Sequence, residues 1–226
     1  MRKTTSILLA AASAMSASQA VTLGQVDDFE DGTVQGWHVG SSSHPFPPTN
    51  IATGGPGGVD DNWLRLTAIG GSGAGSRLTV MNASQWTGDY VAAGVTSISM
   101  HLINLGSTDL HLRLQFENWD GFSPVDVAMS SSAVVVPAGS GWVSVVFPIA
   151  PSDLTLQFGN LTQAVTSTDF VRFFHSTSAT FPGSPITAQL GVDNIRAVPE
   201  PGTLAACALG IGWLSRRRRS RPNSRP

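Results

Sequence analysis

Apolar and polar residues alternate with a period of two in several short runs, which is typical of strands with one buried face. The clearest run puts four apolar residues on one side and four polar ones on the other: Leu110, Leu112, Leu114 and Phe116 against His111, Arg113, Gln115 and Glu117. Similar runs begin near Leu64, Ile98, Val143, Phe170 and Leu190. No long segment follows the 3.6-residue period of a helix. The pattern therefore predicts an all-β domain.

About nine such strands, separated by turns rich in glycine, proline and serine, predict a single antiparallel β-sandwich, a jelly roll, over residues 21–197. The runs Ile98–Leu102 and Leu110–Phe116 predict a hairpin that turns at Leu105–Asp109. His101 and His111 would then be neighbours on its outer side. Two histidines without a third ligand favour a solvated surface over a metal site.

Three loops are long and simple in composition: 40–58, 70–76 and 178–185. Long loops in a compact domain are usually binding loops or mobile ones.

The first 20 residues have the order of a secretory signal peptide. Arg2 and Lys3 precede a small, mostly apolar stretch, and Ser18-Gln19-Ala20 fits a small-x-small cleavage site. A buried N-terminal helix is the alternative. We expect the mature chain to begin near Val21, with residues 1–20 removed.

The C-terminal part combines three features in a fixed order. Pro199-Glu200-Pro201 forms an extended joint, because two prolines remove backbone donors and disfavour a helix before them. An uncharged apolar run over 203–214 follows, short for a bilayer span, which needs about 20 residues. Four arginines come next, Arg216, Arg217, Arg218 and Arg219, which the positive-inside rule keeps in the cytoplasm. A core helix with a basic end is the alternative.

This C-terminal part, 198–221, closely resembles the PEP-CTERM sorting signal of Gram-negative bacteria. The resemblance implies recognition near Pro199, Glu200 and Pro201 by an exosortase, a membrane enzyme with a cysteine nucleophile. It also implies transient membrane anchoring by a short hydrophobic helix and export to the cell surface or extracellular matrix. The chain departs from the pattern in continuing past the arginines as a short tail, 222–226.

Removing both ends changes the charge of the protein. The whole chain has a formal charge of −2, but eight of its 13 basic residues lie in the two terminal signals. The remaining domain has five arginines and no lysine, so it is distinctly acidic. It lacks the basic surface that nucleic acid requires. Cys207, the only cysteine, lies in the apolar run, so the domain has no disulfide and depends on its core, which about 175 residues can supply.

The order of motifs in 26–197 resembles a carbohydrate-binding-module-like jelly roll of the galactose-binding type. The matching segments are Asp28-Phe29-Glu30-Asp31-Gly32 with Gly36-Trp37, then Gly141–Pro148, and finally Val192-Asp193-Asn194-Ile195. The resemblance implies a structural Ca²⁺ that joins the first strand to the last, held by Glu30 or Asp31 and by Asp193.

The Ca²⁺ hypothesis has simpler alternatives. Carboxylate oxygens are ligands that Ca²⁺ prefers. However, Asp28 and Asp31 could cap a turn before Gly32, and Asp193-Asn194 could form a bulge. Asp60-Asp61-Asn62 is a second acidic cluster, for which a solvated loop is the better interpretation.

Sugar binding requires exposed aromatic faces beside polar groups. The best candidates are Trp119 and Phe122, which follow a predicted strand beside Glu117 and Asp120. Trp86 and Tyr90 come next. For each tryptophan the alternative is a role at the edge of the core, which we favour for Trp37, Trp63 and Trp142.

Enzyme signatures are weak. A glycosidase needs two carboxylates that flank the scissile bond, and nothing fixes Glu117 and Asp120 in that geometry. We therefore expect an exported, non-catalytic polysaccharide-binding or matrix protein. The alternatives are a purely structural or adhesive surface protein without a sugar site and, third, a glycan-active hydrolase or lyase.

Overall fold

Two antiparallel sheets pack face to face in the computed structural model, which describes residues 20–40 and 44–199. The first sheet has the order β2-β3-β12-β5-β9, with β1 beside β12. Its strands are β1 (Val26–Asp27), β2 (Thr49–Ile51), β3 (Trp63–Ile69), β5 (Ser97–Asn104), β9 (Val143–Pro148) and β12 (Thr187–Val198).

The second sheet has the order β10-β7-β6-β11-β4, with β8 beside β6. Its strands are β4 (Thr79–Asn82), β6 (Leu110–Trp119), β7 (Pro124–Ser130), β8 (Val134–Val136), β10 (Leu154–Phe158) and β11 (Phe170–His175). A 3-10 turn at Pro151–Asp153 precedes β10, and one short helix, α1 (Leu161–Thr166), lies between β10 and β11. The predicted β-sandwich is confirmed.

The core lies between the sheets and consists of the residues that the alternation predicts. Leu110, Leu112, Leu114 and Phe116 of β6 are fully buried against the first sheet. Leu64, Leu66 and Ala68 of β3 face them, with Leu190, Val192 and Ile195 of β12. Burial of such side chains is worth about 1.5–3 kcal/mol each, so this interface is the main source of stability.

The described residues form 12 strands rather than about nine. The additional strands β1, β2 and β8 contain two or three residues each. Runs of that length are too short to show a period of two, so the sequence pattern does not reveal them.

The predicted hairpin between β5 and β6 is wrong. β5 pairs with β9 and β12 in the first sheet, whereas β6 pairs with β7, β8 and β11 in the second. The connection crosses between sheets, held by Asn104, whose side-chain amide donates to the carbonyls of Thr108 (2.9 Å) and Val136 (3.0 Å). The two apolar faces therefore oppose each other across the core instead of lying side by side.

This crossover also separates His101 from His111. His101 lies opposite Asp193 in the first sheet. The backbone N–H of His111 instead donates to Nδ1 of His175 at 3.0 Å, and the two imidazole rings are 6.1 Å apart.

Both terminal signals fall outside the described residues, apart from Ala20 and Val198-Pro199. Among the residues described, no helix is long and apolar enough to span a bilayer.

Candidate functional site

A groove with a cavity volume of about 410 Å³ lies on the outer face of the second sheet. Strands β6, β7, β10 and β11 contribute to it, together with the loop that follows β11. The polar side of β6 supplies the floor, because Gln115 and Glu117 point away from the core that Leu114 and Phe116 occupy. The alternation of β6 therefore builds the core and the groove at once.

The floor contains a buried ion pair. Arg172 of β11 donates from Nε to Oε1 of Glu117 at 2.6 Å and from Nη2 to Oε2 at 3.1 Å. Glu117 also accepts from Nε2 of Gln115 (2.6 Å) and from the indole Nε1–H of Trp119 (2.9 Å). Burial raises the pKa of Glu117, but the bonds and charge of Arg172, with Gln115 and Trp119, outweigh it and hold that pKa below its usual value.

Aromatic side chains form the rim of the groove. Phe158 at the end of β10 is 47% exposed, and Phe181 in the loop after β11 is 39% exposed. The ring of Phe181 lies 4.8 Å from the guanidinium carbon of Arg172. The predicted long loop at 178–185 thus supplies one wall of the groove.

Trp119 separates the groove from a second cavity of about 520 Å³, and its side chain lines both. Its ring packs on Phe170 at 5.0 Å, and its backbone N–H donates to Asp169 at 2.8 Å. Phe122, at the tip of the β6–β7 turn, is 92% exposed. Asp120 holds this turn by accepting from the backbone N–H groups of Phe122 (2.9 Å) and Ser123 (3.0 Å).

Trp86 and Tyr90 are placed differently from the sequence expectation. Both are buried in the core, so neither can stack on a sugar ring. The indole N–H of Trp86 donates to Oδ2 of Asp27 at 2.7 Å, as does that of Trp37. The hydroxyl of Tyr90 donates to the carbonyl of Trp86 at 2.8 Å. This placement corrects the expectation for both residues: the polar edge of each ring bonds inside the protein.

Two tryptophans cover part of the outer face of the first sheet, around Gly191. Trp63 lies over Gly191 of β12, where any side chain would collide with the indole. Trp142 packs edge-on against Trp63 at 5.8 Å. The indole N–H groups of the two residues donate to the carbonyls of Thr53 and Gly54, both at 2.9 Å. These contacts hold both indoles in place beside Gly191.

Of the predicted Ca²⁺ ligands, the structure brings Glu30 and Asp193 into one electrostatic environment and leaves Asp31 in a turn. Burial raises the pKa of Asp193 to about 7, hydrogen bonds from Asn194 oppose this, and the charges of Asp61 and Glu30 add to it. Asp31 instead accepts from the backbone N–H and the hydroxyl of Thr33, both at 2.8 Å.

The turn and bulge alternatives are both observed. The pairing of β12 with β5 shifts register after Asp193, and Asn194 has a φ of 51°. In the part of the chain that the structure describes, no three or more histidine, cysteine, aspartate or glutamate side chains are gathered closely enough to hold a metal ion.

Sequence reasoning missed Arg172, Gln157, Phe158 and Phe181 as groove residues. The alternation around Arg172 does not show which face of its strand is outward, and only the pairing of β11 with β6 places it beside Gln115. Phe158 and Phe181 come from segments distant in sequence, so no local pattern reveals that they share a groove.

No family model matches the sequence, and no curated protein matches it either. Solved structures do match. A family 11 carbohydrate-binding module from Clostridium thermocellum, in complex with a β-1,3-1,4-mixed-linked tetrasaccharide, superposes with a TM-score of 0.53 at 14% identity. The match covers 79% of this chain and 97% of that module.

Two further structures are similar to the same degree. One is the family 11 module of the cellulosomal cellulase Lic26A-Cel5E of Clostridium thermocellum, with a TM-score of 0.52, 14% identity and coverage of 79% and 96%. The other is an exo-β-agarase, with a TM-score of 0.51 and 15% identity. That match covers 77% of this chain and 24% of the agarase chain. At this level of identity the likeness shows the β-sandwich fold of carbohydrate-binding modules.

Proposed function

We propose that this protein is a non-catalytic polysaccharide-binding module and that the groove beside Trp119 is its ligand site. The observation that carries the proposal is the combination of an aromatic rim with a buried polar floor on one sheet face. Pyranose rings stack on aromatic faces, while fixed polar groups bind the hydroxyls. Each of the two cavities beside Trp119 has a volume within the usual range of small-molecule sites, about 300–1,000 Å³.

The similar carbohydrate-binding modules support this proposal at the level of the fold, since a sandwich of this kind accommodates a sugar ligand in one of them. The groove itself is the more specific support, because it is built from side chains of this chain. Its rim and floor converge although their residues come from four strands and one loop.

A glycan-active hydrolase or lyase is a poorer account of the groove. Hydrolysis requires two carboxylates across the scissile bond, one of them with a raised pKa. Among the described residues that line the groove, Glu117 is the only carboxylate, and its pKa is lowered by Arg172 despite its burial. Asp120 is exposed and accepts backbone bonds within its own turn.

Calorimetric titration with soluble polysaccharides tests the proposal. Trp119→Ala removes the ring shared by both cavities, so affinity should fall by about 30-fold or more, as for a central contact residue. Trp142→Ala deletes a tryptophan on the outer face of the first sheet and should leave affinity unchanged. Failure of every glycan to bind a folded protein would instead support a structural or adhesive surface protein without a sugar site.

We further propose that the protein is exported to the cell surface or extracellular matrix of a Gram-negative bacterium. Support comes from the order of Pro199-Glu200-Pro201, the apolar run and Arg216–Arg219, together with the N-terminal signal. The partners would be the secretion machinery, the membrane for a limited time, and an exosortase. Mass spectrometry of the exported chain should find both ends removed. An intact C-terminus in a host with an active exosortase would contradict this.

We also propose one structural Ca²⁺ near Asp193. Its support is the buried Asp193 carboxylate, which the charges of Glu30 and Asp61 reach; these three do not form a ready cluster, so backbone carbonyls would supply much of the shell of an ion that prefers oxygen donors. Asp31, the third residue that the sequence predicted as a Ca²⁺ ligand, stays a candidate ligand. Calorimetry should detect one Ca²⁺ that raises the melting temperature, and Asp193→Asn should abolish both effects. Unchanged Ca²⁺ binding by Asp193→Asn would place the ion elsewhere.

A further inference from the structure

The floor of the groove contains one hydrogen-bond acceptor with no partner. Oε1 of Gln115 is buried and accepts no hydrogen bond, while Nε2 of the same amide donates to Glu117 at 2.6 Å. The orientation of the amide is fixed, because a flipped amide would turn its oxygen toward the Glu117 carboxylate. Oε1 of Gln115 therefore lacks a hydrogen-bond donor.

An unpartnered buried acceptor is costly, and native proteins rarely keep one without a reason. Gln115 lines the groove, so its side chain lies beside the space that a ligand would occupy. A sugar hydroxyl can donate to this oxygen. A ligand carboxylate or sulfate cannot, because an ionised acid group only accepts.

The two charged side chains in the floor of the groove neutralise each other. Arg172 and Glu117 form a two-point ion pair, and their side chains are only 12% and 3% exposed. Phe181 lies over the guanidinium at 4.8 Å. The floor therefore offers a ligand neither a free cation nor a free anion.

Two further arginines near the groove already donate to backbone carbonyls. Arg77, which is partly exposed, donates from Nε to the carbonyl of Gly183, in the loop that carries Phe181, at 2.9 Å. Arg113, two positions before Gln115 on β6, is buried and donates to the carbonyls of Ser130 (2.7 Å), Ser131 (2.8 Å) and Ser176 (3.1 Å). The described residues contain five arginines and 14 carboxylates, a formal charge of −9. Such a domain repels polyanions at long range.

From these observations we infer that the groove selects uncharged polysaccharides, and that a sugar hydroxyl donates to Oε1 of Gln115. The inference rests on the proposed polysaccharide-binding function and adds the chemical class of the ligand. Glycans rich in uronic acid or sulfate are excluded from the site.

Affinity electrophoresis of the full protein against two sets of polysaccharides tests the class of ligand. The uncharged set contains mixed-linked β-1,3-1,4-glucan, xylan, galactomannan and agarose; the charged set contains polygalacturonate, alginate and a sulfated galactan. Retardation by at least one uncharged glycan and by no charged one supports the inference. Equal or stronger retardation by a charged glycan overturns the inference and leaves the polysaccharide-binding function intact. Retardation by none overturns both.

A variant tests the role of the Gln115 oxygen. Gln115→Met keeps the length of the side chain but removes the acceptor, so affinity for the retarding uncharged glycan should fall about three- to tenfold. The variant also removes the Nε2–H bond to Glu117, so the melting temperature should fall slightly, and the test of the oxygen is the affinity. Gln189→Met, on the exposed outer side of β12, is the matched control. Unchanged affinity in Gln115→Met would overturn the assignment of the hydroxyl contact.

Discussion

Two buried carboxylates in this protein, Asp27 and Glu117, have similar partners but different surroundings. Asp27 accepts from the indole N–H groups of Trp37 and Trp86 at 2.7 Å and from the amide of Gln85 at 3.0 Å. Glu117 accepts from one indole, one glutamine amide and, in addition, the guanidinium of Arg172. Asp27 lies among core residues, whereas Glu117 lies at the floor of a groove.

The guanidinium of Arg172 distinguishes Glu117, for which we propose a role in binding, from Asp27, which has a structural role. Without one, burial raises the pKa of Asp27 even though Trp86, Trp37 and Gln85 oppose it. With Arg172 beside it, Glu117 has a lowered pKa in spite of its burial. The first carboxylate therefore connects strand β1 to two core indoles, and the second holds the polar floor of the groove in place.

The largest expected effect is on the stability of an Asp27→Leu variant. The change leaves two buried indole N–H groups without acceptors and removes one of the two bonds of the Gln85 amide, which should cost about 4 kcal/mol of unfolding free energy. Chemical denaturation measures the loss. Glycan affinity of the folded fraction should not change, since Asp27 lies in the core, whereas the groove lies on the outer face of the second sheet. A loss of affinity with unchanged stability would contradict the structural role.

The next effect is on ligand binding in Glu117→Gln. The variant removes the charge that pairs with Arg172, so the floor loses its fixed geometry and glycan affinity should fall about tenfold. Stability should also fall, by about 3 kcal/mol, because the amide can accept through only one of its two ends and Arg172 loses its counter-charge in a buried site. Calorimetric titration and denaturation separate the two effects. A double variant with Arg172→Met should recover part of the stability but not the affinity.

The pH dependence of stability should have opposite signs for the two carboxylates. The pKa of Asp27 is raised in the folded state, so its contribution is complete below the usual value of 3.8 and is lost as pH rises through the folded pKa. The pKa of Glu117 is lowered, so its contribution is present above 4.5 and is lost as pH falls through the folded pKa.

Denaturation of Asp27→Asn and Glu117→Gln between pH 3 and pH 7 measures these contributions. Relative to the first variant, the unmodified protein should lose stability as pH rises. Relative to the second, it should gain stability over the acidic part of the range. The same slope for both variants would refute the distinction between the two sites.

The smallest effects come from replacing single indoles by phenyl rings. Trp86→Phe loses one bond to Asp27 and should cost about 1–2 kcal/mol of stability with no change in affinity. Trp119→Phe loses the bond to Glu117 but keeps a ring between the two cavities, so affinity should fall only a few-fold. Thermal melts with parallel titrations test the pair. If both variants changed affinity equally, the claim that Trp119 contacts the ligand and Trp86 does not would be wrong.

Strand alternation was sufficient to predict the sandwich, its main core residues and the outward position of Gln115 and Glu117. It could not predict strand pairing. The connection at Leu105–Asp109 has the composition of a hairpin turn, yet Asn104 directs it across to the other sheet. Long-range pairing depends on contacts between segments far apart in sequence, which local patterns do not contain.

The candidate site could be predicted only in part for the same reason. Trp119 and Phe122 follow the end of a strand, and that position correctly indicated an exposed or groove-lining location. Trp86 and Tyr90 have similar local sequences but are buried, because Asp27 from a distant strand accepts the Trp86 indole. An indole needs a partner for its N–H, and the sequence does not show which carboxylate supplies it.

The indole N–H resonances of the tryptophans provide the most direct test of the central claim. In a two-dimensional ¹H–¹⁵N NMR titration with mixed-linked β-1,3-1,4-glucan oligosaccharides, or with whichever uncharged glycan binds most tightly, the account predicts a saturable shift of the Trp119 signal. The signals of Trp37 and Trp86 on Asp27, and of Trp63 and Trp142 on the outer face of the first sheet, should stay in place. A saturable shift of Trp63 or Trp142 with Trp119 unchanged would contradict the account and place the ligand on the other sheet.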